Sequence, residues 1–293
     1  MKNTKKILSV FLIAIILIST FPVGASASFN SLLETEAEIV LLVNTDSETV
    51  ILDKNADKRT APASLTKIVT CMLVLENCPD LSVPVTCKRE CLNGLYQMNA
   101  ATAGILPGET LTIHDLLYCL MLPSAADAAN ILADYVGGGI DNFVVMMNEF
   151  VAKLGCKNTK FVNAHGLDSD PNGYTTARDL YKITKYALEN STFKEITSTL
   201  RYDVAPTEKY PYTRYLHNTN KMMNIGIPDY YHKSVSGVKT GTTEKAGRCV
   251  ITTASQDGYN YMLIVMGAPQ YDIDNDNVEE NVAFTESKKI YNW

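Results

Sequence analysis

Three stretches of this 293-residue chain place serine, lysine and threonine at spacings that suit acyl transfer. Ser64 and Lys67 stand three residues apart, and Leu65, Ile68, Val69, Met72 and Leu73 repeat around them as one apolar helical stripe. Both side chains therefore share one face of a helix's first turn. A serine hydroxyl is a poor nucleophile until a base takes its proton. A lysine serves as that base when burial or a second cation lowers its pKa. The positive end of the helix dipole also favours an anion at the Ser64 oxygen. Lys239-Thr240-Gly241-Thr242, immediately before an expected strand at Arg248 to Ala254, supplies a second cation. Thr240 offers a hydroxyl to an anionic substrate group, and Gly241 lets a substrate backbone come close. The backbone N–H groups of Ser64 and Thr242 together suit an oxyanion hole. Between the two motifs Ser124, with Asp127 three residues on, has the spacing of a capping box. Ser-x-x-Lys also occurs at Ser191–Lys194 and Ser236–Lys239, but only Ser64 opens an amphipathic helix.

The elements that must hold these groups fall into an ordered pattern. Ile39 to Val43 and Thr49 to Leu52, separated by the polar turn Asn44 to Ser47, predict a β-hairpin. The Ser64 helix follows, after Pro62, and an irregular stretch runs from about Pro79 to Gly108. Helices are then expected after Thr112, after Ser124 as far as Gly137, from Ile140 to Gly155, and from Thr176 towards Asn190. Cys249 to Ala254 and Tyr261 to Met266 predict strands joined at Asp257-Gly258, and about Val278 to Tyr291 a last helix. Strands at both ends with helices between imply one sheet built from both ends of the chain, with a helical insertion over about 79–160.

Composition removes several function classes. With 46% hydrophobic and 20% charged residues the chain is globular, and its net charge of −6 with no basic cluster beyond residue 6 argues against a nucleic-acid partner. Residues 1–27 resemble a secretory signal peptide: Lys2, Lys5 and Lys6, then the apolar run Ile7 to Ile18, then Ala25-Ser26-Ala27. The expectation is an exported protein occupying 28–293. Its seven cysteines, at 71, 78, 87, 91, 119, 156 and 249, are an odd number for such a compartment. Cys71 and Cys119 fall in apolar helical patterns and read as small hydrophobes. Neither the cysteines nor His114, His165, His217 and His232 show metal-ligand spacing, so no metal is expected. His165 and Asp168, in the turn-rich stretch Asn163 to Asp168, read as structural.

Three motifs together resemble the low-molecular-mass penicillin-binding proteins, the serine D-alanyl-D-alanine carboxypeptidases. They are Ala63-Ser64-Leu65-Thr66-Lys67, Leu122-Pro123-Ser124-Ala125-Ala126-Asp127-Ala128-Ala129 and Gly237-Val238-Lys239-Thr240-Gly241-Thr242. Phe161 to Asp168, Thr175 to Leu180 and Asn218 to Lys221 match as well, and the similarity runs from about Ala37 to Ala268. The resemblance implies an α/β (α+β) fold, β-lactamase/transpeptidase-like, with an antiparallel sheet flanked by helices and an all-helical subdomain. It implies that Ser64 attacks the penultimate D-alanine of a peptidoglycan stem peptide, with Lys67 as proton acceptor and Ser124 relaying a proton to the leaving amine. Lys239 and Thr240 then hold the substrate carboxylate. β-Lactam antibiotics acylate the same serine, no cofactor takes part, and the protein works at the cell wall or the outer face of the membrane.

Departures from the family pattern set the competing readings. The second motif is normally Ser-x-Asn, and here its third residue is Ala126; the literal Ser28-Phe29-Asn30 sits beside the leader's cleavage site. An alanine removes an amide that orients the lysine and the substrate, which favours a catalytically weak or inactive wall-binding homologue as the alternative. Many members also carry an arginine near the start of the last long strand. That place falls near Asn260 or Tyr261, leaving Arg248 as the substitute. No Glu-x-x-Leu-Asn type loop is present, which ranks a serine β-lactamase last.

Overall fold

A computed structural model describes residues 33–168, 170–271 and 280–293. The expected leader at 1–27 and Ser28-Phe29-Asn30 lie outside the described residues. The uninterrupted apolar run of β1 (Ile39–Asn44) makes it a central strand, buried on both faces. It turns at Asn44, whose Oδ1 accepts the Asp46 and Ser47 amides at 3.1 and 3.0 Å, into β2 (Thr49–Lys54). The late strands β7 (Val235–Thr243), β8 (Gly247–Gln256) and β9 (Tyr259–Ala268) form a meander. Its β8–β9 turn is Asp257-Gly258, at φ +52° and +83°, the left-handed pair a two-residue hairpin loop requires. β1 joins this meander through β9, with Ile39 opposite Met266, and the antiparallel order is β2-β1-β9-β8-β7. Strands from the two ends of the chain thus make one sheet, and the lysine-bearing strand β7 stands at its edge.

Both faces of the sheet are covered. One packs Ile39, Leu41, Ile251 and Ile264 against Leu65, Ile68, Val69 and Met72, around α1 (Lys67–Asn77). The other packs Val40, Val250, Leu263 and Val265 against Val282, Phe284 and Ile290 of α7 (Val282–Asn292). The remaining helices are α2 (Ile113–Met121), α3 (Ala126–Gly137), α4 (Ile140–Lys153), α5 (Ala177–Ala187) and α6 (Ser191–Ser198). Thr112 and Thr176 cap α2 and α5 as their spacing predicts, each accepting the amide three residues on. The result is the α+β architecture the sequence implies, with helices on both faces of an antiparallel sheet.

Four local expectations need correction. Ser64 lies in a 3₁₀ turn, Ala63–Thr66, and α1 proper starts at Lys67. Lys239 to Thr242 lie inside a strand of their own, β7, that the sequence left unassigned, directly before the expected strand at 248–254. Ser124 does not cap α3, because the N-cap is Ala125 and Ser124 itself sits at φ +64°. Short hairpins β3 (Pro84–Thr86) with β4 (Thr110–Thr112), and β5 (Arg201–Val204) with β6 (Arg214–His217), add strands to stretches read as irregular or left unassigned.

Candidate active site

The first motif is built on a tight approach between β7 and the turn before α1. A Cβ on Gly241 would lie 3.1 Å from Ala63 Cβ and 3.3 Å from Ser64 N. Gly241 therefore admits the turn that carries Ser64, where any side chain would press on Ala63 and Ser64. A second glycine acts from the other side. Gly166, at φ +83°, would place a Cβ 1.8 Å from the Ala63 carbonyl oxygen, so only glycine fits. Ala63 itself has φ +47°, an unfavourable angle for alanine held by these two contacts.

Lys67 is completely enclosed, 1% exposed, with Nζ 3.0 Å from Ser64 Oγ and 2.6 Å from the His165 carbonyl, to which it donates. That carbonyl is delivered by a locked loop. Asn163 Oδ1 accepts the His165 and Gly166 amides at 3.2 and 2.6 Å, and Thr70 of α1 donates to the Ala164 carbonyl at 2.7 Å. Burial holds the Lys67 amine well below its ordinary pKa; Lys239 adds to this and Asp127 opposes it. A neutral amine keeps a lone pair to accept the Ser64 proton, which is what a base at this place needs. Lys239 is equally buried, and burial alone brings it down to about 7.

The second and third motifs meet through Thr219. Its Oγ1 is 2.6 Å from Thr240 Oγ1, and its N–H donates to the Leu122 carbonyl at 3.1 Å. Ser124, two residues past Leu122, is 8% exposed, and its Oγ has no hydrogen-bond partner among the described residues. Asp127 does not complete a capping box. Its carboxylate takes the amides of Ala103 (3.0 Å), Ile105 (3.0 Å) and Ala128 (2.9 Å), tying the 101–105 loop to the start of α3. Ala126 is buried and gives its N–H to the Ala101 carbonyl at 2.8 Å. Arg248 stands opposite Thr242 in the ladder, and its Nη1 donates to Thr242 Oγ1 at 3.1 Å. Asn260 instead bonds to Asp46.

Sequence reasoning missed three contributors: the His165 carbonyl, Thr219 and the buried carboxylate of Asp127. Thr219 lies in a stretch already matched to the family, so the signal was present without a role. The His165 ring is tied into its own loop. Burial first, and then Lys67, lower its pKa to about 3, and neutral Nδ1 accepts the Leu167 amide at 3.1 Å. Asp168 accepts the Lys245 amide at 3.2 Å. No group of three or more His, Cys, Asp or Glu placed to hold a metal occurs among the described residues.

A buried Ser–Lys pair at a helix start is faced by a second lysine on a sheet edge, an arrangement suited to acyl transfer through a serine. The model of the D-alanyl-D-alanine carboxypeptidase family matches residues 25–270, and the chain belongs to that family of serine peptidases. It is 31% identical over 268 residues to the D-alanyl-D-alanine carboxypeptidase DacF of Bacillus subtilis, covering 90% of this chain and 66% of DacF. It is 32% identical to a D-alanyl-D-alanine carboxypeptidase of a Streptomyces species, over 77% of this chain and 79% of that one. The crystal structure of the Streptomyces K15 DD-transpeptidase superposes with a TM-score of 0.76 at 29% identity, over 88% of this chain and 95% of that one.

Proposed function

We propose that this protein removes the terminal D-alanine from peptidoglycan pentapeptide stems outside the cytoplasmic membrane, through an acyl-enzyme on Ser64. The observation that carries the reading is Ser64 Oγ at 3.0 Å from the amine of a fully buried, pKa-depressed Lys67. Ser64 Oγ attacks the carbonyl carbon of the penultimate D-alanine while its proton passes to Lys67 Nζ. The oxyanion forms against the N–H groups of Ser64 and Thr242. Ser124 passes a proton to the leaving amine as the C–N bond breaks, and Lys67 restores it to Ser124. Water then attacks the ester carbonyl with Lys67 taking its proton, the bond to Ser64 Oγ breaks, and Lys67 returns that proton to Ser64 Oγ as the stem shortened by one D-alanine leaves.

Lys239 and Thr240 hold the substrate's terminal carboxylate, with Thr219 and Arg248 as neighbours of that pocket. A β-lactam carries both a reactive carbonyl and a carboxylate, so it acylates Ser64 by the same contacts. The leader-like segment 1–27 and the location of peptidoglycan both support export. Ala126 supports a weaker reading in which stem peptides bind and acylation is slow, since Lys67 then lacks a side-chain amide partner. Intact-mass spectrometry of the purified protein with a labelled penicillin distinguishes the two. One adduct per chain within minutes supports the carboxypeptidase; no adduct after hours leaves a binding protein.

A further inference from the structure

Thr219 has an exposed side chain on a backbone that is tied down from both sides. Asn218 gives its N–H to the Leu200 carbonyl at 2.8 Å and its Nδ2 to the Thr199 carbonyl at 2.9 Å, at the end of α6. Its Oδ1 accepts the Asn220 amide at 2.9 Å. Asn220, 1% exposed, gives its Nδ2 to the Gly237 carbonyl of β7 at 3.0 Å, and its Oδ1 accepts the Met222 amide at 3.1 Å. The N–H of Thr219 itself reaches the Leu122 carbonyl, two residues before Ser124, at 3.1 Å. Three consecutive residues therefore join the end of α6, the lysine-bearing edge strand and the loop of Ser124. Out of this clasp the Thr219 hydroxyl meets the half-buried Thr240, oxygen to oxygen at 2.6 Å. That lies at the short end of the range for two hydroxyls.

Proton counting gives this contact a direction once an anion is bound. A threonine hydroxyl has one proton to donate and two lone pairs to accept with. With no ligand, either member of the pair can be the donor. An ionised carboxylate only accepts, so Thr240 holds one by turning its single proton towards it. The contact with Thr219 then survives only if Thr219 donates to Thr240 Oγ1. A hydroxyl that accepts one bond gives a stronger one in turn. Accepting it also restrains the rotation of the Thr240 hydroxyl, so less freedom is lost when the anion arrives.

We propose that Thr219 is a positioning residue for recognition of the substrate's terminal carboxylate, acting through the hydroxyl of Thr240. The inference rests on the function proposed above. Its test times acylation by benzylpenicillin, which carries a carboxylate, by intact mass in wild type, Thr219→Val, Thr219→Ser, Thr240→Val and Thr219→Val/Thr240→Val. Valine keeps the shape of threonine and removes the donor. Thr219→Val should lose about tenfold or more of the second-order acylation rate, the scale of one hydrogen bond to a charged group. Thr219→Ser should stay within about twofold of wild type, and the double variant should be no slower than Thr240→Val, because the two hydroxyls act as one unit. An acyl-D-alanine thioester with an uncharged leaving group asks nothing of a carboxylate site. Towards it Thr219→Val should lose at least about fivefold less than towards penicillin. Melting temperatures check that each variant folds. A rate kept in Thr219→Val, an equal loss with the thioester, no rescue by serine, or additive losses in the double variant would overturn the assignment. Wild type that penicillin fails to acylate would defeat the carboxypeptidase reading and this inference with it. Acylated wild type matched by Thr219→Val would defeat this inference alone.

Discussion

The two hydroxyls of the site live in opposite circumstances. Ser64 is engaged from the outset: Lys67 lies at hydrogen-bond distance, the His165 carbonyl fixes that amine, and Gly241 and Gly166 leave the turn no room to move. Ser124 is pinned by its backbone neighbours, yet its Oγ bonds to nothing among the described residues. A buried hydroxyl without a partner costs about 1–3 kcal/mol, and it is retained where a ligand can supply the missing partner. The contrast teaches a division of labour. In the mechanism proposed above, Ser64 and Lys67 are already paired without substrate, whereas the partner of the Ser124 hydroxyl would be the substrate's leaving amine.

Four experiments break or sharpen that contrast. Ser64→Ala has the largest effect: the penicillin adduct disappears from the intact mass while the melting curve stays cooperative. Adduct retained in that variant would place the nucleophile elsewhere. Lys67→Arg puts a permanent cation in place of the amine and removes the lone pair, since guanidinium does not deprotonate. Stopped-flow acylation should slow by about 10²- to 10⁴-fold, the range a positioned base supplies. An unchanged rate would move the base to another group.

Ala126→Asn acts on the Ser124 side. If the added amide gains one hydrogen bond in the transition state, worth about 1–3 kcal/mol, D-alanine release rises roughly five- to 150-fold. Ala126 is buried at the first residue of α3, so the melting temperature is measured alongside the rate. An unchanged or lower rate with preserved melting temperature would show that a neighbouring group already fills the role of that amide.

The smallest effect concerns Lys239, whose pKa burial lowers to about 7. Carboxylate binding needs the charged form, so kcat/KM should fall as pH rises above about 7. Lys239→Arg stays protonated and should move that limb upward by more than one pH unit. A limb that does not move belongs to another group. The same depressed lysines set a stability trend. Unfolded Lys239 binds more protons than the folded form between about pH 7 and 10.5, so it adds stability as pH rises through that window, and Lys67 acts in the same direction.

How much of this was legible depends on what each residue's role is made of. The roles proposed for Ser64, Lys67 and Lys239 rest on side-chain chemistry at fixed spacing, which residue types and context can show. The sheet was legible because β1, β8 and β9 are continuous apolar runs bounded by turn residues. The 3₁₀ turn, α6 and the β5–β6 hairpin were not, because short elements carry too few apolar positions to show a period. Ser124 misled for a clear reason. Serine three residues before aspartate is a good capping box, and only the tertiary amides of Ala103 and Ile105 draw the Asp127 carboxylate away. The His165 carbonyl was illegible in principle, since a backbone group has no residue type.

The seven cysteines carry a consequence beyond the site. All are free and buried, six in the helical part and one, Cys249, in β8, and burial raises every thiol for which a shift is resolved. Thiols held protonated and out of contact with solvent react slowly with alkylating reagents. Timed alkylation of the native protein followed by peptide mapping would therefore read out which part of the molecule opens first. A single cysteine placed on the surface would be labelled alone, without removing any of the seven.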